Sequence, residues 1–188
     1  MDKFLFDTSS LLNFVKYYLP FDENSELKEF LLQGFNENRF LLLSEVKIEC
    51  ERVSSGLIFN EFAELRKIKP LKQADIVNNK WHNLIDNNFS IKGMKSKLNQ
   101  NEYEQQKTNF IKSADFALIF YASNNQNNNR NPTIITEETI NSNDNKIFKK
   151  IPAICEMQSI KCISLPQFLK KQISIKYQVL GNLFCASN

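Results

Sequence analysis

The sequence predicts an α/β fold, from two observations. Short apolar runs alternate with helical segments along the chain, and several of these segments carry an acidic residue at the end of a run or the start of a helix. Open α/β sheets bind their ligands beyond the carboxyl ends of the strands, so acids collected there are site candidates.

The first run, Lys3-Phe4-Leu5-Phe6, is a strand that delivers Asp7 and turns at once into a helix through Leu11, Leu12, Phe14 and Val15. Asp, Thr and Ser are all good N-caps worth about 1 kcal/mol, so Asp7 alone reads equally well as a cap or a site residue. Repetition separates the two readings. Arg39–Leu43 reads as a second buried strand, followed by an amphipathic helix over Val46–Val53. In that helix Val46, Cys50 and Val53 share a face that Glu49 borders, while Glu51 is rotated away and Glu45 sits where a helix start favours an acid.

Ser113–Ala122 is a strongly apolar helix with a single carboxylate, Asp115, at its start. The helix dipole favours an anion there by about 0.3–1 kcal/mol, which is compatible with simple capping. A helix apolar nearly all round is central, however, and an uncompensated carboxylate at its buried end is costly. A metal ion would compensate it. Pro132–Glu138 is a further strand ending on acids, Glu137 and Glu138.

Between these segments, Leu57–Phe89 reads as two helices interrupted at Pro70, with Phe62, Trp81 and their apolar neighbours assigned to core packing. Ile91–Gln106 is polar and reads as mobile, and the Asn-rich stretch Ser123–Asn131 reads as a loop. Leu165–Leu169 begins a short helix. Residues 1–171 form one domain, and 172–188 a C-terminal extension whose spacing suits both strand and helix.

Composition narrows the function. The chain has 188 residues, 42% hydrophobic, a net charge of +3 and only 4 glycines, so no phosphate-binding glycine loop can be assembled. No apolar run is long enough to span a bilayer, and the start lacks the basic and apolar regions of a signal peptide, so the expected location is the cytoplasm. Cys50, Cys155, Cys162 and Cys185 lack zinc-site spacing and read as small buried hydrophobes. His82 is the only histidine, which argues against a histidine-based active site. Lys92, Lys95 and Lys97, and likewise Lys146, Lys149 and Lys150, read as solvated faces. Lys112, within a helical turn of Asp115, is placed to contact a phosphate.

Acids gathered at one sheet edge suit hard divalent cations, because Mg²⁺ and Mn²⁺ prefer carboxylate and water oxygens. In order and placement, Phe6-Asp7-Thr8-Ser9, Val46-Lys47-Ile48-Glu49-Cys50, Lys112–Ile119 with its Ala114-Asp115 pair, and Ile134-Ile135-Thr136-Glu137-Glu138 resemble the motifs of the PIN domain. That is the metal-dependent ribonuclease fold of many bacterial toxins in toxin–antitoxin pairs. Lys150-Ile151-Pro152-Ala153-Ile154-Cys155-Glu156, with Ile160–Ile163 after it, resembles a subgroup of those proteins in which a helix opening on lysine, isoleucine and proline precedes a last strand. Where many PIN domains have Asp in the fourth motif this chain has Glu138, favoured by register, with Glu137 beside it.

The resemblance implies a three-layer α/β/α architecture with a central, mainly parallel sheet and a helical arm over the middle of the chain. It further implies an endoribonuclease in which Asp7, Glu49, Asp115 and Glu138 hold Mg²⁺ or Mn²⁺, oriented by Thr8, Ser9, Thr136 and Glu137. The partners it implies are RNA, an antitoxin protein and a second copy of the chain, with no membrane. Two alternatives stand beside it: a catalytically weak binding or scaffold module, and a DNA-directed nuclease of the same fold.

Overall fold

Strand β1 (Phe4–Phe6) is buried at every position, as a strand covered on both faces must be. The computed structural model describes residues 2–72, 76–126, 131–140 and 146–173. Strand β1 pairs in parallel with β2 (Phe40–Leu41) on one side and β3 (Thr133–Ile135) on the other. Strand β3 pairs in parallel with β4 (Cys162–Ile163), so the sheet order is β2-β1-β3-β4. Parallel neighbours need long crossovers, and here these are helical and flank the sheet in a three-layer α/β/α arrangement.

The helices in chain order are α1 (Thr8–Tyr17), α2 (Glu26–Asn36), α3 (Ser44–Arg52), α4 (Leu57–Glu61), α5 (Asn79–Leu84) and α6 (Lys92–Lys95). They continue with α7 (Gln100–Ile111), α8 (Ala114–Asn124), α9 (Ile151–Met157) and α10 (Leu165–Gln172). Among the described residues none is long and apolar enough to cross a membrane.

Aromatic rings fasten α2 and α10 to the sheet. Phe168 of α10 lies 5.0 Å from Phe4, 5.3 Å from Phe6 and 5.3 Å from Phe40 between ring centroids, and Phe35 of α2 lies 5.3 Å from Phe6. Such edge-on and tilted pairs add about 0.5–1.5 kcal/mol each beyond the area they bury. The cluster needs Gly34, because a Cβ there would stand 2.0 Å from the Phe40 ring. Helix α8 is buried at Ala114, at every residue from Phe116 to Phe120 and at Ala122, which makes it the central helix its composition predicts. Trp81 of α5 packs on it, 4.9 Å from Phe120 and 5.8 Å from Phe116.

Register positions the site. Phe6 is opposite Ile135, so Asp7 and Thr136 leave the two central strands side by side. The Asp7 N–H donates to the Ile135 carbonyl at 2.9 Å, and the Thr136 N–H to that of Ile163 at 3.1 Å.

Several expectations change. The polar stretch Ile91–Gln106 is largely helical, in α6 and the first half of α7. A reciprocal capping box between Asn99 and Glu102 starts α7, and Tyr103, Lys107 and Phe110 form its buried stripe. Lys107 is buried because its ammonium meets Asp86 at 2.6 Å, where the Tyr103 hydroxyl also donates at 2.7 Å. The helix expected from Leu57 breaks at Phe62 into a 3-10 segment, Ala63–Lys67. The next begins under an Asn78 cap and ends in a π-helical turn, Ile85–Phe89. Residues 127–130 of the Asn-rich loop, Cys185 and the extension beyond Ile173 lie outside the described residues.

Candidate functional site

Asp7 occupies the N-cap position of α1 in extended backbone, yet its side chain makes no capping hydrogen bond. It points elsewhere. Its Oδ2 accepts from Ser9 Oγ at 2.6 Å and from Thr136 Oγ1 at 2.7 Å, inside an environment that leaves Asp7 4% exposed. Each hydroxyl has one proton, and each gives it to Asp7, so the 3.2 Å contact between the two hydroxyls has none left to share. Their lone pairs are used as well: the Glu137 N–H donates to Ser9 at 3.0 Å, and the Glu138 N–H to Thr136 at 3.2 Å. Burial pushes the Asp7 carboxyl above the usual carboxylate range, the two hydroxyls oppose that, and the charge of Glu49 adds to it.

Glu49 arrives from α3. Val46 and Cys50 are buried on that helix and Glu51 is exposed, so Glu49 lies along the border, as the helical periodicity requires. Its Oε2 accepts from Thr8 Oγ1 at 2.6 Å. Glu45 instead accepts from the hydroxyl of its neighbour Ser44 at 2.9 Å. Burial pushes the adjacent Cys50 thiol up to about 12, so it remains a protonated, packed side chain.

Asp115 stands in the first turn of α8 but does not cap it. That work falls to Ser113, whose Oγ accepts the Phe116 N–H at 3.2 Å. Relieved of capping, the Asp115 carboxyl is pushed up to about 7, first by burial and then by the charges of Asp7, Glu138 and Glu49, with Lys146 opposing. Three predicted acids on three other segments, Asp7, Glu49 and Glu138, therefore bear electrostatically on Asp115.

The adjacent acids after β3 have different surroundings. Glu138 Oε2 accepts the Ile151 N–H at the start of α9 at 3.0 Å, and its Oε1 lies 3.9 Å from the Lys146 ammonium. Glu137 turns to α10, where its Oε1 accepts the Leu165 N–H at 2.6 Å. Only the Glu137 backbone, through Ser9, addresses Asp7. Lys112, expected near a phosphate, is the exposed residue that closes α7, whereas the cation bearing on Asp115 is Lys146. Lys146 reads in the sequence as part of a solvated face; its signal is the group of three lysines, Lys146, Lys149 and Lys150, that begins eight residues after the fourth acid.

Among the described residues no group of three or more His, Cys, Asp or Glu is already drawn close enough to hold a metal ion. The donor chemistry nevertheless fits Mg²⁺ or Mn²⁺: every candidate ligand is a carboxylate oxygen, and hydroxyl donors fix one oxygen of Asp7 and one of Glu49, leaving geometry for a hard cation. Two cavities flank the acids. One, of about 470 Å³, is lined by Thr136, Glu138, Cys155 and Cys162. The other, of about 420 Å³, opens at Asp115 and Lys146.

Residues 4–175 match a family model described as a domain of unknown function, DUF4411. No curated protein and no solved structure matches the chain.

Proposed function

The chain belongs to the DUF4411 family, and we propose that it is a metal-dependent endoribonuclease acting as the toxin of a toxin–antitoxin pair. One observation supports the reading above all: burial, and after it the charges of Asp7, Glu138 and Glu49, push the Asp115 carboxyl up to about 7. A fold keeps mutually repelling carboxylates at one sheet edge at a cost in stability, and a bound cation offsets that cost.

Asp7, Glu49, Asp115 and Glu138 would hold one or two Mg²⁺ or Mn²⁺ ions. When bound, such ions acidify water for in-line attack on phosphorus and neutralise charge on the phosphate. The chain's own contribution is orientation and proton balance. Ser9 and Thr136 hold one oxygen of Asp7, and Thr8 holds one oxygen of Glu49, so neither carboxylate has to be ordered when substrate arrives. Asp115 releases its proton as the site fills.

The test is cleavage of mixed single-stranded RNA and DNA by wild type and Asp115→Asn, with Mn²⁺, with Mg²⁺ and with chelator. Metal-dependent cutting of RNA that the variant lacks is the expected result. Cutting of DNA alone moves the substrate to the other sugar, and metal-dependent cutting retained by the variant sinks the assignment. The toxin setting predicts growth arrest when the chain is expressed alone, relieved by the product of the neighbouring gene.

A binding-only module is the second reading. It is favoured by Glu138, whose two oxygens are already engaged by the Ile151 N–H and by Lys146. Calorimetry separates the two, because a module with a degraded site takes up no Mn²⁺.

A further inference from the structure

The cavity of about 420 Å³ beside Asp115 is built between α7 and the segment that follows the fourth acid. Its volume falls in the lower part of the range for small-molecule sites, about 300–1,000 Å³. Three kinds of group line it. Lys146 and Lys149 supply positive charge, Phe148 supplies an aromatic surface, and Gln106 and Asn109, one turn apart on α7, supply exposed carboxamides.

The aromatic wall is braced. Phe148 stacks on the buried Phe110 with ring centroids 4.3 Å apart and an interplanar angle of 15°, while Phe148 itself keeps part of its surface open. The Lys149 ammonium is 3.4 Å from the Met157 sulfur, a weak acceptor that a phosphate oxygen readily replaces. Lysines beside an aromatic face are the combination that binds unpaired nucleotides, the charge tracking the backbone and the ring taking the base. Carboxamides present a donor and an acceptor together, which suits the edge of a base.

We propose that this cavity is a subsite for one unpaired nucleotide of the RNA strand. The base lies against Phe148, with its edge toward Gln106 and Asn109. The phosphate lies on Lys146 and Lys149, and the next phosphodiester is thereby carried to Asp115. The inference rests on the ribonuclease reading for the identity of its ligand. A base held in a duplex cannot enter, because double-stranded RNA offers its shape and backbone rather than an open base face.

Binding of a short labelled oligoribonucleotide to the full chain, followed by fluorescence anisotropy in chelator so that no cleavage intervenes, tests the subsite. The single strand is expected to bind at least about tenfold more tightly than its duplex. Phe148→Ala should weaken it by about 5- to 150-fold, the range for loss of one base stack. Lys149→Gln should lower the slope of log affinity against log salt by about 0.7. Gln106→Ala should change the preference among bases, and Lys170→Gln on α10, which does not line the cavity, should change nothing. Phe148 is partly packed, so the decisive variants are the two surface ones. If Lys149→Gln and Gln106→Ala both bind as wild type does, or duplex binds as well as single strand, the subsite is wrong even where metal-dependent cleavage holds. If the variants lose binding as expected while wild type cuts nothing with metal, the subsite stands and the nuclease reading falls.

Discussion

Thr8 donates its hydroxyl proton to Glu49 Oε2 at 2.6 Å across a sequence separation of 41 residues. The bond joins the helix that follows β1 to the helix that follows β2, and it fixes the acid whose assignment among Glu45, Glu49 and Glu51 depends most on rotation. Thr8→Val keeps the shape and removes the donor. It is expected to lower Mn²⁺ affinity by about 10- to 100-fold, the usual effect of losing a group that orients a ligand. Calorimetric titration measures this, and Thr8→Ser should restore most of the affinity.

Asp7→Asn and Asp115→Asn are expected to abolish cleavage while leaving the circular dichroism spectrum unchanged. Thermal unfolding adds a second readout for Asp115→Asn. Removing about 1 kcal/mol of repulsion raises the melting temperature of a domain this size by about 2–4 °C, so the inactive variant should be the more stable protein at pH 8 without metal. A lower melting temperature would show that Asp115 is held by attraction rather than crowded by like charge.

The Asp115 carboxyl, pushed up to about 7 from an ordinary value of 3.8, makes metal-free stability depend on pH. The folded protein keeps this proton to higher pH than the unfolded chain does. The Asp115 contribution is therefore full below the unfolded value and is lost as pH rises from about 4 through about 7. Metal affinity runs the other way, since loading requires the ionised group. It should climb by up to about tenfold per pH unit below about 7 and level off above. Denaturant melts and Mn²⁺ titrations over pH 5–9 follow the two trends, and Asp115→Asn should flatten the first.

Gly34→Ala tests the aromatic cluster rather than the site. The new Cβ would stand 2.0 Å from two carbons of the Phe40 ring, so the ring must move within a layer already filled by Phe4, Phe35 and Phe168. A loss of about 1–3 kcal/mol is expected from such overpacking, read as a lower urea midpoint. Combining it with Phe40→Leu should recover part of that loss, because the smaller side chain leaves room for the methyl.

Much of this arrangement was legible because it is local. Phe4-Leu5-Phe6-Asp7 declares both a buried strand and the acid at its end, and the apolar run after Asp115 declares a central helix. Register between β1 and β3 then brings Asp7 to Thr136 with no further information. The misreadings share one cause, pairing between distant residues. The polar stretch Ile91–Gln106 did not announce the start of α7, because the buried face of that helix includes Lys107, which is buried only because Asp86, 21 positions earlier, meets its ammonium. Lys146 looked like one of three surface lysines, and only the folded chain brings its charge to Glu138 and Asp115. The division of labour between Glu137 and Glu138 was equally hidden, since the α10 N–H that occupies Glu137 comes 28 residues later.

The sheet order has a consequence during synthesis. Strands β1 and β2 leave the ribosome first, but β3 must dock beside β1 before Thr136 can meet Asp7, and β4 must follow to cover β3's other edge. A nascent chain halted before Thr133 carries Asp7, Glu49 and Asp115 with neither Glu138 nor the hydroxyl of Thr136. Such products would therefore hold three of the four acids without the strand that sets Thr136 against Asp7, and the acidic cluster is assembled only once β3 has been made and docked beside β1.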